Sequence, residues 1–246
     1  MRPLGAGSRI LVTERNLRGL RGLTFDAFGT LLDAGAKDAI AVLRDALHEA
    51  GADFDSRQLE DRWMESFHHH LPREPFISFR EVHRRAFEEL FLRLGVSSPT
   101  EVCVEETFER YRRANVHPEV HAVIGELEKD FPLAVVSNMD TEPLLAALQR
   151  NGLTFTFVIT SEEEQSYKPA SPPFERATRY LGLPPANILH VGDSYAEDVV
   201  GASSAGMEAA LILRSAGTEP RPRGVKHVVL DLREVRELLY RSWDAS

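Results

Sequence analysis

Three short apolar runs, each broken at once by a polar turn, constrain this chain more than any other feature: Leu20 to Phe25, Leu133 to Val136 and Ile188 to Val191. A strand buried on both faces reads as near-continuous apolar sequence, and such strands belong to parallel sheets covered by helices on both sides. Phe155 to Thr160 and Ala209 to Leu213 add two strand candidates, and Val228 to Leu230 a weaker sixth. Between them lie segments predicted helical: Glu119 to Asp130, Glu142 to Asn151, Pro172 to Leu181, Asp198 to Ala205 and Leu232 to Ser242. Gly152 and Gly182 supply the helix stops that the second and third of these require. From about residue 118 onward the chain is a βαβ series, which predicts an α/β fold with a doubly wound parallel sheet.

Residues 36–116 depart from this alternation. Apolar positions recur there at helical spacing, as in Ile40, Leu43 and Leu47 and again in Val82, Ala86, Phe87, Leu90, Phe91 and Leu94. Asp55-Ser56 before Gln58 to His70, and Ser98-Pro99-Thr100 before Glu101 to Arg113, have the chemistry of helix starts. The segment therefore reads as an all-helical insert between the first strand and the second.

Size and charge narrow the possibilities further. At 246 residues the chain is one large domain, or a domain with a sizeable insert. Its formal charge of −9 argues against a nucleic-acid partner, whose binders carry a basic stripe. No apolar run approaches the ~20 residues of a membrane span. The lone cysteine, Cys103, reads as a packing residue on an acidic helix. Residues 1–19 read as an arginine-rich N-terminal extension, 217–224 as a Pro/Arg-rich surface loop, and the cytoplasm is the expected compartment.

Acidic, hydroxyl and lysine side chains gather where the strands end, the place where open α/β sheets bind ligands. The first strand runs into Asp26-Ala27-Phe28-Gly29-Thr30, the second into Ser137-Asn138-Met139-Asp140, and the Ile188 to Val191 strand into Gly192-Asp193-Ser194, with Glu197 and Asp198 following. Ser166-Tyr167-Lys168-Pro169 follows the third candidate strand. Carboxylates that hold a hard cation, with an ammonium to offset anionic oxygen, suit Mg²⁺-assisted phosphoryl transfer on a small phosphorylated molecule.

The ordered motifs D-x-x-G-T-L, apolar-S-N, K-P and G-D-S-x-x-x-D, spread over residues 20–215, resemble those of the haloacid dehalogenase-like hydrolases. That resemblance implies a Rossmann-like core over residues 20–35 and 117–246 and a helical cap over 36–116. It makes Asp26 the nucleophile, has Thr30 and Ser137 bind the transferred group, and has Lys168 offset charge. It assigns Mg²⁺ to Asp26, Asp193 and the carbonyl of Phe28, with Asp198 orienting Lys168 or a metal-bound water and Glu197 able to substitute. Asn138, Phe28 and Trp63 are candidate substrate contacts, and Phe67, Phe76, Phe79 and Arg80 candidate walls of a cap pocket.

One departure matters. Phosphatases of this kind commonly carry a second aspartate two residues after the nucleophile as general acid, and here that residue is Phe28. An aromatic there resembles the L-2-haloacid dehalogenases, whose halide leaves without a proton and which need no metal. Those enzymes clamp the substrate carboxylate with an arginine beside a cap tryptophan. In this chain Met64 follows Trp63 and Arg62 precedes it. The retained Asp193 and Asp198, like charges beside Asp26, call for a cation. The expectation is therefore a Mg²⁺-dependent phosphatase working through an aspartyl-phosphate. The alternatives are a dehalogenase or an attenuated binding or regulatory protein. His68-His69-His70 and Glu162-Glu163-Glu164 read as solvated stretches, with one histidine near the pocket.

Overall fold

The computed structural model describes residue 17 and residues 19–52, 54–71, 75–97, 99–214 and 224–244. Six parallel strands form one sheet in the order β3-β2-β1-β4-β5-β6. They are β1 (Gly22–Phe25), β2 (Leu133–Ser137), β3 (Phe157–Thr160), β4 (Ile188–Gly192), β5 (Glu208–Ile212) and β6 (His227–Val229). All six candidate runs became strands, and all the pairings are parallel. Strand β1 starts later than its apolar run because Leu20 and Arg21 are taken up in turn bonds to Leu17 and Asn187.

The two-residue period of a strand sorts its side chains between two cores. Leu133, Val135, Ala210 and Ile212 face one apolar cluster, while Ala134, Val136, Ala209 and Leu211 face the other. Helices α5 (Val120–Leu127), α6 (Thr141–Arg150) and α10 (Leu232–Asp244) cover the first face. Helices α8 (Ser171–Leu181) and α9 (Gly201–Ser204) cover the second. The strand order reverses between β1 and β4, so a crevice opens outside their carboxyl ends.

Among the described residues four helices stand between β1 and α5: α1 (Ala36–Glu49), α2 (Ser56–His70), α3 (Phe79–Leu94) and α4 (Thr100–Arg112). Asp55 caps α2 by accepting from the amides of Arg57 and Gln58, each at 3.1 Å. Ser78 caps α3 through the Glu81 amide. The insert is tied to the sheet through the start of α3. Asp140, just past β2, accepts from the amides of Phe79 (2.8 Å) and Arg80 (2.9 Å), and Tyr167 donates to the carbonyl of Ile77 (2.7 Å). Arg112 also pairs with Glu142 on α6.

Two expectations are corrected here. The helix predicted from Asp198 begins at Tyr195 as a π-helical turn to Val200 and continues as α9. The turn widens because the Asp198 side chain folds back onto the Ser194 amide (2.9 Å), while the Ser194 carbonyl takes the Val199 amide. The acidic run 162–164 is not a solvated turn but lies in a short helix, α7 (Ser161–Glu164). There Glu162 accepts from the Thr141 amide, and Glu164 pairs with Arg176.

Cys103 is buried, as expected of a packing residue. Of the segment read as an extension, Leu17 is buried in the first core, and 1–16 and 18 lie outside the described residues. So do Ser98 and nearly all of the 217–224 loop. Among the described residues no helix is long and apolar enough to cross a membrane.

Candidate active site

The turn after β1 sets Asp26 at the mouth of the crevice, its amide donating to the Val191 carbonyl of β4 at 2.8 Å. Lys168 reaches it from the loop before α8. The lysine is 1% exposed, and its Nζ donates to Asp26 Oδ1 (2.6 Å), Asp198 Oδ1 (2.6 Å) and the Val136 carbonyl (3.0 Å). An ammonium has three protons, and all three are used. Asn138 clamps the lysine's backbone in both directions: its Oδ1 accepts from the Lys168 amide and its Nδ2 donates to the Lys168 carbonyl and to Glu197.

Behind Asp198 a second set of bonds continues into the sheet. His190 Nε2 lies 3.1 Å from Asp198 Oδ1, and His190 Nδ1 lies 2.8 Å from the Thr24 hydroxyl. A carboxylate only accepts, so Nε2 carries the proton and Nδ1 accepts from Thr24. With Lys168, His190 and the Ser194 amide as donors, Asp198 is turned inward and anchors the lysine.

The electrostatics follow from burial and neighbours. Burial pushes Asp26 up to about 6, Lys168 pulls it down and Asp198 pushes it up. Burial also acts upward on Asp198, but Lys168 and His190 outweigh it and hold that carboxyl well below the usual range. Burial works against the Lys168 charge too, yet Asp198 and Asp26 keep it firmly protonated. Asp193 is packed round by protein yet open to the cleft; that crowding, with Asp26 and Asp198, raises its carboxyl well above the ordinary value. Half-buried Glu197, on the cleft wall, is pushed by burial up to about 7.

Four acidic side chains therefore surround a single lysine. One of them, Asp193, packs against Gly29 in the turn after Asp26: φ there is +89°, a conformation that favours glycine, and a Cβ would lie 2.1 Å from Asp193 Oδ2. Among the described residues no three His, Cys, Asp or Glu side chains are grouped so that they alone could hold a metal ion. A cation here would rest on two carboxylates, a backbone carbonyl and water, which is how Mg²⁺ is commonly held. Thr30 is wholly buried, and among the described residues its hydroxyl has no hydrogen-bond partner.

A cavity of about 340 Å³ lies over Asp26. Of the expected lining, Ser137, Asn138, Phe28, Trp63, Phe67 and Phe79 reach it. Phe76 and Arg80 do not. Phe76 stacks on Tyr167 at 5.0 Å, and Arg80 pairs with Glu105 and lies over the Phe108 ring. Met64 lines the cavity, while Arg62, two residues earlier on the same helix, is exposed and absent from it. His68 is the histidine of its run that reaches the cavity, and His70 instead pairs with Glu89 at 2.7 Å.

Sequence reasoning missed Thr24, His190, His83 and Tyr111. For the first two a signal existed: a threonine and a histidine interrupt apolar strands, and the register places them opposite one another. For His83 and Tyr111, on helices that also carry ordinary core residues, no signal was available.

The fold is of the α/β class, with the candidate site outside the carboxyl ends of its parallel strands. The chain belongs to the haloacid dehalogenase-like hydrolases, whose family model matches residues 20–206. It is 30% identical over 209 residues to the 5-amino-6-(5-phospho-D-ribitylamino)uracil phosphatase YigB of Escherichia coli, covering 80% of this chain and 85% of that protein. It is 26% identical over 244 residues to an (S)-2-haloacid dehalogenase of Pseudomonas fluorescens, covering 93% and 100%. Its fold matches that of the L-2-haloacid dehalogenase from Xanthobacter autotrophicus with a TM-score of 0.73 at 22% identity, over 90% of this chain and 98% of that one. Relatives thus include both phosphatases and dehalogenases, and similarity alone does not choose between the two chemistries.

Proposed function

We propose that the chain is a Mg²⁺-dependent phosphatase of small phosphorylated metabolites, with residues 36–116 as the cap over a core of 20–35 and 117–246. The observation that carries this reading is Asp193 set against Gly29 beside Asp26, an acidic pair with one lysine to balance it. The oxygen-only donor set and the excess of carboxylates fit magnesium. Asp26, Asp193 and the carbonyl of Phe28 would hold it, and when bound it supplies positive charge to the phosphoryl oxygens.

Asp26 attacks phosphorus, forming an aspartyl-phosphate as the bond to the leaving oxygen breaks. Lys168 offsets charge on Asp26 and the incoming phosphoryl group, and the hydroxyls of Ser137 and Thr30 donate to its oxygens. Water then cleaves the acyl phosphate, releasing inorganic phosphate and restoring Asp26. Phe28 supplies no proton to the leaving oxygen, so substrates whose leaving group departs as an anion are favoured.

Hydrolysis of acetyl phosphate and p-nitrophenyl phosphate, with and without Mg²⁺ and beside Asp26→Asn, tests this. Metal-dependent turnover absent from the variant is the expected result. The dehalogenase reading draws support from Phe28. Against it, no arginine or lysine lines the cavity among the described residues, so the arginine clamp expected for a haloacid carboxylate is missing there. Chloride release from L-2-chloropropionate without metal, and no phosphate release, would reverse the order of the two. Inertness towards both classes would leave the binding or regulatory role.

A further inference from the structure

The cavity over Asp26 also restricts what can leave, an argument that rests on the phosphatase reading above. Phe28, Trp63, Met64, Phe67, Phe79 and Tyr111 line it. Their rings interlock: Trp63 stacks on Phe67 at 6.1 Å, Phe67 meets Phe79 edge to face at 5.4 Å, and Phe28 meets Tyr111 the same way at 5.3 Å. His83 and Tyr111 answer one another. His83 Nδ1 donates to the Phe79 carbonyl (2.9 Å), so Nε2 of the neutral ring accepts from the Tyr111 hydroxyl (3.0 Å). What Tyr111 keeps for a ligand is an oxygen that can accept.

A carboxylate or second phosphate on the leaving group would lie among these rings and near four acidic side chains. No lysine or arginine lines the cavity among the described residues, and besides the buried, neutral His83 only His68 could take up a compensating positive charge there. Burying a charge without a partner is strongly unfavourable. A flat ring meets no such penalty and stacks on the wall. The volume, at the low end of the roughly 300–1,000 Å³ of small-molecule sites, admits a phosphoryl group with one or two rings. Phe28 adds a second, independent restriction, since the leaving oxygen gets no proton from it.

We infer that the substrate is an aryl phosphate: the phosphate ester of an uncharged phenol or hydroxylated heteroaromatic. In this reaction Asp26 forms the new O–P bond, and the P–O bond to the ring oxygen breaks with its electron pair. The aryloxide takes its proton from water. A delocalised aryloxide needs that proton far less than an alkoxide does.

The test uses the full chain with Mg²⁺ and four substrates. Phenyl, 2-naphthyl and 3-carboxyphenyl phosphate have leaving phenols of similar acidity, and acetyl phosphate has no ring. The expected result is kcat/KM for the phenyl and naphthyl esters roughly tenfold or more above the carboxylated one, expressed in KM. Met64→Arg should narrow that gap by improving the carboxylated ester. Acetyl phosphate turnover with no preference against the carboxylated ester overturns the inference while leaving the phosphatase reading intact. No turnover of any of the four overturns both.

Discussion

The ammonium of Lys168 and the carboxylate of Asp198 lie 2.6 Å apart, both at 1% exposure, with the nucleophile candidate Asp26 on the lysine's other side. The pair is a structural anchor as much as a catalytic one, because each charge is tolerable in the interior only while the other is present.

Lys168→Met should therefore fail twice. It leaves two buried carboxylates without their counter-charge, a loss of roughly 3–5 kcal/mol. For a chain of this size that is a fall in Tm of about 6–20 °C. Turnover of acetyl phosphate should drop roughly 10²-fold or more. A variant with the wild-type Tm would show that the interior pairing is not the anchor described.

His83 makes acid stability a specific expectation. Burial holds its pKa at about 4, below its ordinary 6.5, so the folded state keeps the ring neutral while the unfolded chain binds a proton. Stability is then full above about pH 6.5 and falls as pH drops toward 4, by about 2 kcal/mol at pH 5. Replacing the ring by a non-titrating amide, His83→Gln, removes this term. The Tm difference between pH 7.5 and 5, compared in wild type and variant, should be larger for wild type by several degrees; equal differences would contradict the buried neutral ring.

Phe28→Asp restores a carboxyl where the family's phosphatases commonly carry an acid. Among so many acidic neighbours it should remain partly protonated at neutral pH and able to donate. Turnover of an alkyl ester such as glycerol 3-phosphate should rise roughly tenfold or more. Acetyl phosphate, which needs no such donor, should change little. No gain in a folded variant would count against the account of the missing proton.

Magnesium should stabilise as well as activate. Asp26, Asp193 and Glu197 are each pushed upward by burial and by neighbouring acids, so a cation among them relieves repulsion. At a hundredfold excess over Kd, binding adds about 2.7 kcal/mol. Thermal melts should move upward with Mg²⁺ and return with EDTA, and Asp193→Asn should need roughly tenfold more metal for the same shift. A melt insensitive to Mg²⁺ would remove the metal from this site.

Much of the architecture was legible because it depends on local pattern. Each apolar run that a parallel sheet must bury became a strand, and the helical insert appeared as a change of period from two to 3.6. Asp26, Ser137 and Asp193 could be found because strand ends in such sheets are where ligands bind, and Lys168 because its K-P motif follows a strand.

What the tertiary structure alone decided is which side chains meet. Trp63 and Met64 turn into the cavity and Arg62 turns away. On a helix each residue is rotated about 100° from the last, and only packing against α3 and α1 selects the face that looks inward. The same holds for Asp140, which lies just past a strand yet accepts from the first amides of a helix that starts 61 positions earlier in the chain. Thr24, His190, Asp198 and Lys168 form one bonded series drawn from two strands, a turn and a loop, because adjacent strand registers and a buried lysine bring each within 3.1 Å of the next. Periodicity is a property of neighbours along the chain, whereas hydrogen bonds and cavity walls are properties of neighbours in space.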